Sequence, residues 1–171
     1  MFILGPAGVG KTKVALRLAQ PAYSYFDRYE IEREIEDLVR SSRSSMSPMR
    51  TAPAVVLESP QFLGGRHGPC RVLVNLIHDR VAEGLKTIIC QPEDPRSMDH
   101  LLSEVDPGNV VVLGLRFPQG SRGRQRVARR MCETMNIPPA AAKGTENLEP
   151  WNYARVQAQL EQWKRVHPEG T

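Results

Sequence analysis

The chain reads as a parallel α/β sheet flanked by helices, followed by a small piece made of helices alone. Three observations predict this. Short apolar runs alternate with stretches of helical periodicity, the alternation stops near residue 113, and a glycine-rich turn joins the first run to the first helix. The length of 171 residues, 40% of them hydrophobic, suits one compact domain with a small appendage.

The elements follow in order. Phe2, Ile3 and Leu4 make the first strand, and after the turn Val14, Leu16, Leu18 and Ala19 carry a helix away from it. Ala22 to Phe26 reads as a short second strand, and Arg28 to Arg40 as a helix with Ile31, Ile35, Leu38 and Val39 on one face. Ser41 to Pro53 is rich in Ser, Pro, Met and Arg and reads as a loop. Ala54 to Leu57 has the continuous apolar character of a buried strand and ends on a carboxylate, Glu58. Pro69 to Gly84 places Val72, Leu76, Ile77 and Val81 at helical spacing and stops at a glycine. Thr87 to Cys90 and Val110 to Leu113 complete the strands, after which Ser121 to Asn136 and Asn147 to Val166 read as helices. The division predicted is 1–118 for the sheet and 119–171 for the helical piece, with Trp151 and Trp163 expected to pack the second against the first.

The turn is Gly5-Pro6-Ala7-Gly8-Val9-Gly10-Lys11-Thr12, which fills the phosphate-binding P-loop pattern G-x-x-x-x-G-K-[ST] completely. Glycines let backbone N–H groups turn inward and approach phosphates without a Cβ in the way. Lys11 reaches the outer phosphates as a point charge, and the Thr12 hydroxyl is placed to hold Mg²⁺. The following helix aims the positive end of its dipole at the same place. Ligands of open parallel sheets bind beyond the carboxyl ends of the strands, so a second acidic group is expected from another strand end. Glu58 is that candidate, as catalytic acid and Mg²⁺ ligand; the plainer reading is an ordinary strand-end acid.

Composition narrows the remaining classes. No apolar run approaches the roughly 18 residues of a membrane span, and no signal peptide precedes the first strand, so a cytoplasmic protein is expected. Met1 stands directly before that strand, which leaves the true start open. Cys70, Cys90 and Cys132 fit neither a disulfide framework nor a CxxC metal spacing, and read as buried reduced thiols. Net charge is +4, but five arginines crowd into residues 122–130 (Arg122, Arg124, Arg126, Arg129, Arg130). They suit nucleic-acid phosphates or a partner's acidic face; a solvated helix face is the alternative.

Val55 to Arg66 reads V-V-L-E-S-P-Q-F-L-G-G-R, with Gln61-Phe62-Leu63 before Gly65-Arg66. This resembles the Walker B segment of the bacterial DnaA family, where two aspartates precede a similar run. Asn75-Leu76-Ile77-His78 and Gly84-Leu85-Lys86-Thr87-Ile88-Ile89 are similar to the helix and sensor I strand that follow it there. Asn136-Ile137-Pro138 and Trp151-Asn152-Tyr153-Ala154-Arg155 match its lid and sensor II helix loosely. The resemblance implies an AAA+ module in which a P-loop sheet (1–118) and a helical lid (119–171) bind ATP or ADP with Mg²⁺. Arg155 is then the sensor II residue, and assembly proceeds through an arginine finger supplied by a neighbour.

The chain departs from that pattern in ways that share a direction. Glu58-Ser59 replaces the acidic pair, and serine is no general base at neutral pH. The region expected to carry the finger, Met98 to Val105, contains no arginine, and the polar sensor I position falls among Gln91-Pro92-Glu93. Binding groups are kept while hydrolytic ones are missing. The expectation is a nucleotide-dependent switch with weak or absent hydrolysis, linked to replication initiation. Its partner is a replication initiator or a second copy of itself, as in Hda-type regulators that keep only the ATPase module. Direct DNA binding through the helix at 28–40 is disfavoured by Glu30, Glu32, Glu34, Glu36 and Asp37. Two alternatives stand beside this reading: a small P-loop kinase acting on a nucleotide or metabolite, and a scaffold that no longer uses nucleotide.

Overall fold

The computed structural model describes residues 1–40, 47–63, 66–92 and 107–168. They belong to two compact units, Met1–Leu115 and Arg116–Thr171. In the first, β1 (Phe2–Leu4), β2 (Ser24–Phe26), β3 (Ala54–Glu58), β4 (Lys86–Gln91) and β5 (Val112–Gly114) form one sheet in the order β2-β3-β4-β1-β5. Every pairing is parallel. All carboxyl ends therefore lie along one edge, and β4 stands between the strand entering the P-loop and the strand ending in Glu58.

Alternation along the strands supplies two faces. Ile3, Ala54, Val56, Ile88 and Cys90 meet α1 (Lys11–Ala19) through Ala15 and Ala19. Phe2, Val55, Leu57 and Ile89 meet α2 (Arg28–Arg40) and α4 (His67–Ala82) through Ile31, Ile35, Leu73, Leu76 and Ile77. The buried stripe of α1 is Lys11, Ala15 and Ala19, whereas Leu18 is exposed. Alanines let this helix lie close over the sheet, which a leucine stripe would hold off. On α2, Ile31 and Ile35 are buried, but Val39 faces solvent.

The 41–53 loop is corrected in part. Positions 41–46 lie outside the described residues, and α3 (Pro48–Thr51) follows them. Ser47 caps that helix by accepting from the Met49 N–H at 3.2 Å, and Pro48 opens it, where a missing N–H costs nothing. Met49 is fully buried against the α2/α4 face.

Arg80 on α4 is 1% exposed, and all its donors are used. Its Nε donates to Thr87 Oγ1 (2.9 Å), Nη1 to the carbonyls of Met49 (3.1 Å) and Arg50 (2.9 Å), and Nη2 to those of Ala52 (2.9 Å) and Lys86 (2.7 Å). One guanidinium thus ties the end of α3 to the starts of β3 and β4. Burial lowers its pKa, and Glu83 opposes that shift.

In the second unit, α5 (Gly120–Met135) and α6 (Tyr153–Val166) enclose a core of Ala128, Cys132, Ile137, Trp151, Val156 and Leu160. The last helix begins at Tyr153 instead of Asn147. Pro150 disfavours helix before it, and the Asn152 side chain caps the start by accepting from the Arg155 N–H at 2.9 Å. Trp151 is buried edge-on to Phe117 (centroids 6.0 Å) and Tyr153 (5.4 Å), and Trp163 packs on the same core, so both tryptophans serve this unit's own interior.

Candidate functional site

Gly5 starts the loop where no larger residue fits. A Cβ there would lie 2.4 Å from the Leu115 carbonyl oxygen and 3.0 Å from a Val9 methyl. Gly8 and Gly10 take positive φ (76° and 88°), and Gly10 leads into α1 without a side-chain cap. No acidic residue occupies that helix's first turn, so its N–H groups and dipole meet no carboxylate of their own helix.

Lys11 is 9% exposed, an unusual place for an ammonium group. Its Nζ donates to the carbonyls of Gly5 (2.8 Å) and Pro6 (3.0 Å), which curls the side chain over its own loop. These neutral acceptors hold the cation less strongly than phosphate oxygens would, so an anion can take them over.

Thr12 Oγ1 donates to Glu58 Oε2 at 2.6 Å, within the range of a charge-assisted O–H···O⁻ bond. The sheet order makes this pair: α1 crosses from β1 over β4, and the alternation of β3 turns Glu58 to the α1 side with Ala54 and Val56. Both are hard oxygen donors. Neighbouring ligands of octahedral Mg²⁺ at about 2.0–2.1 Å stand about 2.9 Å apart, so a small relaxation of this pair fits that ion. Among the described residues no three His, Cys, Asp or Glu cluster as a metal cage. A cation held here would take its other ligands from phosphate and water.

Ser59 follows with φ +56°, a left-handed conformation uncommon for a residue with a side chain, while its N–H donates to the Cys90 carbonyl at 2.7 Å. The chain bends there, just past the acid. Gln91, at the end of β4 and paired in register with Leu4, is fully buried, and among the described residues neither its amide nitrogen nor its amide oxygen has a hydrogen-bond partner. Such a group costs roughly 1–3 kcal/mol unless water or a ligand satisfies it. Cys90 beside it is no nucleophile: burial, then Glu58, pushes its thiol up to about 12, against a smaller lowering by Lys11. The Tyr25 phenol is likewise raised, by burial and then by Glu58.

The structure thus brings Gly5 through Thr12, Glu58, Ser59 and Gln91 to one edge of the first unit. Arg155 belongs to the second unit, where it is exposed on α6 and donates to the Glu149 carbonyl. Glu93, Gly65 and the region from Met98 to Val105 lie outside the described residues. In sequence, Gln91 falls in the segment Gln91-Pro92-Glu93 that the resemblance makes the polar sensor I position, whereas the burial of its amide and the bend at Ser59 come from the fold.

No protein-family model matches the sequence, and no curated protein matches it. Solved structures do. Domain III of the Thermotoga maritima replication initiation protein DnaA superposes with a TM-score of 0.70 at 18% identity, covering 100% of this chain and 78% of that one. DnaA bound to AMPPCP and single-stranded DNA gives 0.71 at 12% identity, and AMPPCP-bound DnaA from Aquifex aeolicus 0.70 at 12%. The chain covers 96% and 99% of its own length in those matches but spans only 54% and 60% of theirs. Its fold is the one these DnaA structures share, a parallel α/β sheet flanked by helices.

Proposed function

We propose that this DnaA-like AAA+ module is a nucleotide-dependent switch that binds ATP or ADP with Mg²⁺ and hydrolyses ATP slowly or not at all. The observation that carries the reading is the buried Lys11 ammonium beside the Thr12–Glu58 pair, on an uncapped helix N-terminus. Lys11 would exchange the Gly5 and Pro6 carbonyls for phosphate oxygens, and Thr12 and Glu58 would hold Mg²⁺. The ion, when bound, neutralises charge on the phosphates. Gln91's amide is the polar group left over to meet the outer phosphate or its attacking water.

What is absent sets the rate. Ser59 stands where a water-activating acid is needed, and an arginine finger, which the 98–105 segment lacks, is worth a thousandfold or more in turnover. The two nucleotide-bound relatives are DnaA proteins. A role in or near replication initiation, in the cytoplasm and through a protein partner, follows as part of the same proposal, with Arg155 as the lid's contact to nucleotide.

The test is to load the purified chain with labelled ATP and Mg²⁺, capture it on a filter and follow the retained label for an hour. Retained, unchanged ATP that Lys11→Ala abolishes supports the switch. Rapid conversion to ADP at ordinary AAA+ rates refutes slow hydrolysis. A phosphorylated product on adding nucleoside monophosphates replaces the switch with a kinase. Equal thermal stability of the parent and Lys11→Ala in saturating ATP makes the loop a relic.

A further inference from the structure

The net positive charge of this protein is confined to one part of it. Residues 116–171 hold ten basic and five acidic side chains, net +5, while residues 1–115 hold thirteen and fourteen, net −1. Within the basic unit, α5 divides its surface sharply. Val127, Ala128, Met131, Cys132 and Met135 enter the core, and Arg122, Gln125, Arg126, Arg129, Arg130 and Glu133 line a shallow groove of ≈ 450 Å³ on the outside.

The fold does not need these arginines. Arg124 is the exception, since it donates to the Glu146 carbonyl (3.2 Å) and Glu149 (2.9 Å) inside the unit. Arg122, Arg126 and Arg129 are exposed and have no acidic partner among the described residues; Arg130 has only Glu133, at 2.5 Å and largely in solvent. Cations three and four residues apart on a helix repel one another and weaken it. Arg122 also stands in the first turn, where the dipole disfavours positive charge and no acid offsets it. A face that weakens its own helix calls for a ligand that reverses the sign.

We infer that the exposed face of α5 binds the phosphodiester backbone of duplex nucleic acid without reading its sequence. Arg122 to Arg130 span about 12 Å of helix. Duplex DNA carries roughly seven phosphate charges over that length, one per ~1.7 Å. A single strand is disfavoured because binding it without sequence preference uses exposed aromatic platforms, whereas Phe117, Trp151, Tyr153 and Trp163 pack in or against the core. A membrane surface is disfavoured because the apolar residues of α5 face inward, leaving none on this face to enter the acyl layer.

The test is fluorescence anisotropy of the full chain with a labelled duplex of about 20 base pairs and arbitrary sequence, titrated at several salt concentrations without nucleotide. Four arginine–phosphate contacts predict a salt slope near −3.6, so affinity should fall about 100-fold between roughly 50 and 200 mM salt. Arg126→Ala with Arg129→Ala should shrink the slope by about 2, leave the melting temperature unchanged or higher, and weaken binding more than Lys143→Ala, a basic change elsewhere in the unit. Absence of duplex binding at low salt overturns the inference, as does full retention by the double variant. Preference for the single strand, for phosphatidylserine vesicles or for polyglutamate overturns it too. The same titration on Lys11→Ala keeps this outcome separate from that of the nucleotide site.

Discussion

Replacing Arg80 with methionine removes a cation at nearly constant volume and leaves its acceptors behind. The carbonyls of Met49, Arg50, Ala52 and Lys86 and the Thr87 hydroxyl all receive its N–H groups. Loss of the guanidinium also removes its desolvation cost, which offsets part of the damage. What remains is the penalty for buried carbonyls, and α3 is too short, at four residues, to take them into a later turn. With roughly 1–3 kcal/mol per unsatisfied buried group, a net loss of about 3–5 kcal/mol is expected. For a chain of this size each kcal/mol lowers the melting temperature by about 2–4 °C, so the midpoint should fall between about 6 and 20 °C. Circular dichroism melting reads this directly. Arg80→Lys, a point charge without the fork, should fall between the two. Arg80 contacts the amino ends of β3 and β4, whereas Glu58 and Gln91 lie at their carboxyl ends, so folded variant should still retain ATP. A drop below about 2 °C, or lost nucleotide retention with unchanged melting, would refute the clamp.

Three further outcomes are expected. Gly5→Ala drives a Cβ onto the Leu115 carbonyl, which cannot yield as a side-chain tip would; melting should show a loss of about 1–3 kcal/mol, while Gly10→Ala, with open space and only a strained φ, costs less. Ser59→Asp restores an acid beside Glu58 in a conformation that Asp tolerates, and single-turnover assays should show faster ATP hydrolysis than in the parent; an unchanged rate would mean that another group limits the step. Cys90 keeps its proton when folded up to about 12, so iodoacetamide at pH 8 should modify it only after denaturation. Because the unfolded chain gives up that proton first, stability should decline as pH rises from about 9 toward 12, and Cys90→Ala should flatten the decline.

The phosphate loop was legible because its chemistry is local. Glycines at fixed offsets, followed by a lysine and a threonine, specify one turn between an apolar strand and a helix, and Lys11 and Thr12 open the helix that leaves it. The strands at 54–58 and 86–91 were legible because they are buried on both faces and read as continuous apolar runs. Less legible was which helical residues face the sheet. Leu18 and Val39 belong to apolar patterns yet are exposed, since the buried stripe is set by how closely each helix lies, not by its most hydrophobic residues. Helix α3 is not legible in the sequence because four residues carry no periodicity and Ser-Pro reads as a turn.

Sequence by itself determined the loop, the parallel α/β class, the acid at the end of the third strand and the concentration of arginines at 122–130, all of which depend on near neighbours in the chain. Tertiary structure decided the pairings that bridge distant segments. It brought Thr12 to 2.6 Å from Glu58, left the Gln91 amide buried without a partner among the described residues, closed five hydrogen bonds around Arg80, and set Arg124 inward while its four neighbours face solvent. The physical reason is the same each time. A side chain's chemistry is written at its own position, but its partners depend on strand order and on which face of an element meets the core, and both arise only when the sheet and its helices have packed.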